Sequence, residues 1–345
     1  MKTRIVDGGE VRRLLPMARC IDLMAGALGS LQRGRSLNPL RSFTWQPDRR
    51  GLIATMPGYL EAAPGDGLGE ALEDELAGGL KAFGLKVIGY FPGRRRPGVD
   101  SHRGFVALFD TDDGAPLALV DAAAITAVRT AAVSGLATRL LARPESAVVA
   151  ILGSGVQART HLEAMLAVRR VSEARVWSPI AESCAEYQRW AENSFGIAVD
   201  VPAGPREAVA GADVICTTTS SGAPVLLGEW LEPGMHVNAV GASVRSAREL
   251  DGAAVARSTL FVDRRESARA ESGDYLLALE EGAIGPDHIR AELGEVVVGE
   301  HPGRISAQEI TLFDSLGLGV EDVAAAAWVL AAARRENAGI EVALS

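Results

Sequence analysis

The hexapeptide Gly153-Ser154-Gly155-Val156-Gln157-Ala158 lies directly between an apolar run, AVVAIL (147–152), and a segment of helical spacing, RTHLEAMLAVRR (159–170). This is a G-x-G-x-x-A turn between strand and helix. Gly153 permits the tight turn, Gly155 lets the backbone approach a pyrophosphate, and the small Ala158 allows helix and strand to pack closely. The N-terminus of the following helix favours an anion. The spacing therefore predicts a dinucleotide cradle. An NAD-preferring site carries an acid about 20 residues further on, against the ribose hydroxyls; here the corresponding strand ends Val176-Trp177-Ser178-Pro179. Ser178 does not repel a 2′-phosphate, although no arginine follows at once to clamp one. NADP(H) is favoured and NAD(H) is admissible.

Arg129 falls on the helical stripe formed by Ile125, Ala132, Val133, Leu136 and Leu140. A guanidinium on an apolar face needs an anionic partner, because an unpaired buried charge costs several kcal/mol. Two partners satisfy that need: a ligand carboxylate or phosphate matched to the planar fork, or an acid of the chain itself. Lys86 sits inside the strand-like segment GLKVIGYF, sharing a face with Ile88 and Tyr90. Taken alone, it reads as an edge-strand lysine keeping its charge in solvent. Arg94, Arg95 and Arg96 read as a solvated loop. The five histidines show no metal-ligand spacing, His161 reads as packing on the helix after the glycine turn, and no metal site is expected.

The elements that must position these residues are legible in outline. Residues 10–34 carry apolar positions at three- and four-residue intervals, interrupted near Pro16, and predict a broken amphipathic helix ending at Gly34. Strand-like pieces follow at 41–45, 51–56, 84–91 and 104–110, with an acidic, Gly-rich stretch at 62–79 that reads as a surface loop carrying a short helix. Residues 121–142 predict a helix capped by Asp121. From 147 onward, apolar runs at 147–152, 174–178, 213–218, 236–241 and 260–263 alternate with helical segments, as in a doubly wound parallel sheet. The segment VEDVAAAAWVLAAARR predicts one more helix near the C-terminus.

The 345 residues include 35 basic and 44 acidic side chains, for a net charge of −9. That balance argues against a nucleic-acid or anionic-membrane binder, both of which need a basic surface, and points to a small-molecule ligand. Cys20, Cys184 and Cys216 lie far apart without C-x-x-C spacing, which suggests neither zinc nor a disulfide framework. With no apolar leader and no uncharged run near the roughly 18 residues of a membrane span, a cytoplasmic location is expected.

Nine blocks extend this reading: NPLRSF (38–43), ATMPGYL (54–60), GLKVIGYFPG (84–93), LALVDAAAITAVRTAA (117–132), LLARPESAVVAILGSGVQA (140–158), ADVICTTTSSGAPVL (212–226), LEPGMHVNAVGAS (231–243), RELD (248–251) and TLFDSLGLGVED (311–322). Together they resemble the ornithine cyclodeaminase/mu-crystallin family. The resemblance implies an α/β protein: a Rossmann NAD(P)-binding domain over 130–318, and an α+β substrate-binding and dimerisation domain from 1–129 and 319–345. It also implies a homodimer. By the same resemblance Arg41, Lys86 and Arg129 bind a substrate carboxylate, Arg129 also lying against the cofactor, and Leu316 touches the substrate. Ser101, Val156, Gln157, Ser178, Thr219, Val240, Gly241, Ala242, Ser243 and Ser315 line the cofactor with the glycine turn.

One departure bears on activity. Ornithine cyclodeaminases carry an aspartate where this chain has Ser243, and a serine supplies no negative charge. The resemblance then implies an NAD(P)H-dependent imine or ketimine reductase acting on a cyclic imino acid, with Lys86 or a water it holds as proton source and Arg129 as its catalytic neighbour. Two alternatives stand beside it: a cyclodeaminase or amino-acid dehydrogenase, and a non-catalytic protein that binds NADP or a small ligand.

Overall fold

The computed structural model describes residues 2–63, 66, 79–91 and 102–343. Ser101, Arg94, Arg95, Arg96 and most of the 62–79 stretch lie outside the described residues. The chain divides into two compact units, Met1–Arg129 with Leu318–Ser345, and Thr130–Gly317.

The first unit is built on a seven-stranded sheet. Its strands are β1 (Lys2–Val6), β2 (Ser42–Trp45), β3 (Leu52–Ala62), β4 (Leu80–Tyr90), β5 (His102–Phe109), β6 (Pro116–Asp121) and β15 (Ile340–Ala343). They lie in the order β15-β1-β6-β5-β4-β3-β2, with β2 to β6 an antiparallel meander. Alternation fixes the faces: in β3 the side chains of Leu52, Ala54, Met56, Leu60 and Ala62 are buried. That inner face is covered by the helix Met17–Gln32 and by the C-terminal helix Gly319–Glu336. Pro16 separates Met17–Gln32 from the short helix Gly8–Leu14, whose N-cap Asp7 accepts from the Gly9 and Glu10 amides.

Two glycines let the C-terminal helix come down on β3 backbone to backbone. A Cβ on Gly58 would lie 2.8 Å from the Val320 nitrogen, and one on Gly319 would lie 2.4 Å from the Pro57 carbonyl oxygen. The first turn of the helix is thereby held against the sheet, and the Val320 amide donates to Asn38 Oδ1 at 3.0 Å.

The second unit carries an eight-stranded, all-parallel sheet. It contains β7 (Val148–Leu152), β8 (Glu173–Trp177), β9 (Val199–Asp200), β10 (Val214–Thr217), β11 (His236–Ala239), β12 (Thr259–Val262), β13 (Ile289–Glu292) and β14 (Thr311–Asp314). The order is β13-β12-β14-β11-β10-β7-β8-β9. Chain direction across the sheet reverses between β7 and β10, the switch point at which such sheets bind ligands outside their carboxyl ends. Every residue of β10 and β11 is buried, as expected of central strands covered on both faces, including the polar Thr217, His236 and Asn238.

Three differences from the sequence expectation have physical causes. Lys86 is not on an edge: β4 lies between β3 and β5, and the residue is 1% exposed, opposite Met56 and Val106. Strand order is a long-range property that local spacing does not carry. Strands β1, β9, β13 and β15 are short and rich in charge, so they show no readable alternation. Strand β6 runs directly into the helix Ala122–Leu141, and its apolar residues merge with the helical pattern; Asp121 nevertheless caps that helix, its Oδ1 accepting from the Ala124 amide at 2.8 Å.

Candidate active site

In the second unit Gly153 to Gly155 form the turn between β7 and the helix Val156–Val168. Gly153 has φ +123°, and a Cβ there would lie 2.7 Å from Thr218 Oγ1 and 2.8 Å from the Thr218 carbonyl oxygen. Gly155 is the N-cap of the helix Val156–Val168, and no side chain caps that end. A Cβ on Gly155 would meet nothing within 4 Å. Crowding within the chain therefore does not explain this glycine, whereas close approach of a ligand does. Ala158 is fully buried, and its carbonyl accepts from Tyr187 Oη at 2.9 Å. Val156 is half exposed at the mouth of the turn, with Gln157 following in the first turn of the helix.

The other cofactor candidates stand at the same edge of the sheet. Ser178 follows β8, Thr219 follows β10, Val240 to Ser243 follow β11 and Ser315 follows β14. Ser178 Oγ accepts from the Ile180 amide at 3.4 Å. Ser315 Oγ is buried without a hydrogen-bond partner among the described residues, a donor a bound molecule can use. These residues fit a dinucleotide: an uncapped helix N-terminus, open space over Gly155 and an orphaned hydroxyl converge at the carboxyl ends of parallel strands.

Two buried acids, unassigned from the sequence, shape these loops. Glu249 Oε1 accepts from the Thr219 amide at 2.5 Å, and its Oε2 accepts from the Gly241 amide at 2.6 Å and from Thr217 Oγ1 at 2.8 Å. Burial pushes its carboxyl upward against these hydrogen bonds. Asp263 Oδ2 accepts from the Leu316 and Gly317 amides at 2.8 and 2.7 Å, fixing the segment that carries Ser315. Leu316 itself packs in the apolar core of this unit. The RELD block was the available signal for Glu249, but spacing says nothing about where its side chain turns. His161 packs as expected, between the Gln157 carbonyl and Ser134 Oγ, with burial lowering it to about 4.

In the first unit, Lys86, Arg129 and two acids form a buried cluster. Lys86 Nζ lies 2.8 Å from Asp322 Oδ2 and donates to Thr126 Oγ1 at 3.3 Å. Arg129 Nε donates to Asp322 Oδ1 at 2.9 Å, and its Nη1 donates to Glu321 Oε2 at 3.1 Å. The acid of the chain is thus present beside Arg129, and it fixes the plane of the guanidinium. Burial lowers the Lys86 amine to about 8; the Asp322 carboxylate opposes the shift, while the Arg129 and Arg41 charges add to it. Arg41 is therefore close enough to Lys86 to be felt, on a segment tied to the C-terminal helix through Asn38. Lys86, Arg129 and the half-buried Arg41 thus bring three basic side chains together, a set that can hold a carboxylate and deliver a proton.

A model of the ornithine cyclodeaminase/mu-crystallin family matches residues 1–337. The chain belongs to that family. Its relatives in the family include the ketimine reductase mu-crystallin of Mus musculus, 39% identical over 306 residues and 88% of each chain. Among solved structures, the Delta(1)-pyrroline-2-carboxylate reductase of Thermococcus litoralis in complex with NADH and L-proline superposes with a TM-score of 0.90 at 35% identity, over 99% of this chain and 100% of that one. An archaeal alanine dehydrogenase dimer with bound NAD gives 0.89 at 31% identity, over 100% of both chains.

Proposed function

We propose that the protein is an NAD(P)H-dependent reductase of cyclic imino acids, adding one hydride and one proton across a C=N bond to give a secondary amine. The observation that carries this reading is the Lys86 amine, fully buried with its Nζ 2.8 Å from Asp322 Oδ2, the same carboxylate that holds Arg129. Arg41 and Arg129 hold the substrate carboxylate, as a planar fork is suited to do. Lys86 gives a proton to the imine nitrogen. Gly153 to Ala158 and the loops organised by Glu249 would hold the dinucleotide, which would supply a hydride to the imine carbon. Ser243 adds no carboxylate for handling a distal amine, which favours reduction over cyclodeamination.

Ser178 at the end of β8 supports a preference for NADP(H), with NAD(H) also accepted. A homodimer is supported by the outer face of the first sheet, where Ile53, Phe83, Leu85, Val87 and Phe105 lie on one side and several are about half exposed. The deciding assay follows NADPH and NADH oxidation with cyclic imines bearing or lacking a 2-carboxylate. Reduction of the carboxylated imines alone, with NADPH binding more tightly by fluorescence titration, is the expected result; ammonia release from ornithine without imine reduction would overturn the reading.

A further inference from the structure

Four charged side chains, Lys86, Arg129, Glu321 and Asp322, are enclosed where three elements meet: β4, the helix Ala122–Leu141 and the first turn of the C-terminal helix. Stability does not call for them, since apolar residues of like volume commonly serve as well as a buried ion pair. Glu321 is engaged with its own helix, accepting from the Leu318 amide at 3.2 Å as well as from Arg129. Asp322 is placed differently. Its two oxygens are divided between the two cations, Oδ2 toward Lys86 and Oδ1 toward Arg129. It stands in the first turn of its helix, where the dipole favours a carboxylate, and the Gly58–Gly319 backbone contact holds that turn against β3.

We propose that Asp322 is a positioning residue that couples the proton donor to the carboxylate clamp, one oxygen setting where the Lys86 ammonium points and the other the plane of the Arg129 fork. This rests on the roles given above to Lys86 and Arg129. The groups facing Lys86 account for its behaviour: Met56 from β3 and Val106 from β5 are apolar, Thr126 and Arg129 come from the helix Ala122–Leu141, Asp322 from the C-terminal helix, and the Arg41 charge from the segment before β2. With Asp322 neutral, burial and two arginines would act on the amine without that opposing charge. Both the proton and the clamp would then be affected by one substitution.

The test uses full-length Asp322→Asn and Asp322→Glu. Carbon-13 NMR of protein labelled at the lysine Cε, followed across pH, reports the Lys86 titration without turnover. In Asp322→Asn the half-point is expected to fall by about 1 pH unit or more. KM for the carboxylated imine is expected to rise about tenfold, with little change for the same ring lacking the carboxylate. An unchanged half-point, or equal changes in KM for both imines, would overturn the proposal. Should Asp322→Asn not fold, Asp322→Glu decides: the longer arm keeps the charge but moves it, so the half-point is held while KM for the carboxylated imine rises, and a wild-type KM would sink the idea. If the wild-type protein reduces no imine, the functional reading fails, while the NMR titration still decides whether Asp322 governs Lys86.

Discussion

Lys86 carries its charge where water cannot share it, and its amine titrates at about 8 in the fold against 10.5 in an unfolded chain. As a general acid it is competent below that value. kcat/KM for imine reduction is expected to fall as pH rises through about 8, and the reverse oxidation of the cyclic amino acid to gain over the same interval; parallel profiles in the two directions would contradict the assignment. Lys86→Met is expected to abolish the limb and to lower reduction by about 10² or more. The sign for stability is separate. A depressed lysine pKa means that the unfolded chain binds more protons between about pH 8 and 10.5, so this residue's unfavourable contribution fades as pH rises through that window. Arg129 was legible as a cation needing an anion, because its place on an apolar stripe is a local property. Its partner was not: residues 129 and 322 are joined only by the fold, and Asp322 in VEDVAAAAW reads from sequence as an ordinary acidic helix start.

At the scale of elements, the glycine turn was the most legible feature, because its requirement is satisfied within one strand, one turn and one helix. Gly153→Ala tests it. The substitution forces a side chain into a positive-φ position already against Thr218, a strain on the order of 1–3 kcal/mol. NADPH affinity is expected to weaken about tenfold or more, measured by fluorescence titration, with the far-ultraviolet circular dichroism retained; wild-type affinity would remove the turn from the cofactor site. The Gly58–Gly319 contact was not legible. Each glycine looks unremarkable in its own segment, and only the crossing of β3 by the C-terminal helix explains both. Glu249 is a similar case, since it ties the loops after β10 and β11 through hydrogen bonds that have no periodicity to reveal them.

At the scale of the whole molecule, the outer face of the first sheet bears on assembly. Phe83 is 48% exposed on that face and stacks edge-on with Tyr59. An exposed apolar area of this kind on a folded chain marks an interaction surface. Phe83→Asp is expected to convert a dimer to a monomer by light scattering with little loss of monomer stability, because the ring is half in solvent already; a dimer of unchanged mass would place the interface elsewhere.

The division of the chain into units has a consequence in time. The second unit is one uninterrupted stretch, whereas the first is made from both ends of the polypeptide, with β15 pairing beside β1 and the C-terminal helix closing over β3 and β4. During synthesis, residues 130–317 are complete while the first unit still lacks its covering helix. Until residue 322 has left the ribosome, Lys86 and Arg129 have neither Asp322 nor Glu321 to neutralise them. The buried charge cluster of the first unit is therefore completed late in synthesis, and the carboxylates of the C-terminal helix are the ones that make its two buried cations tolerable.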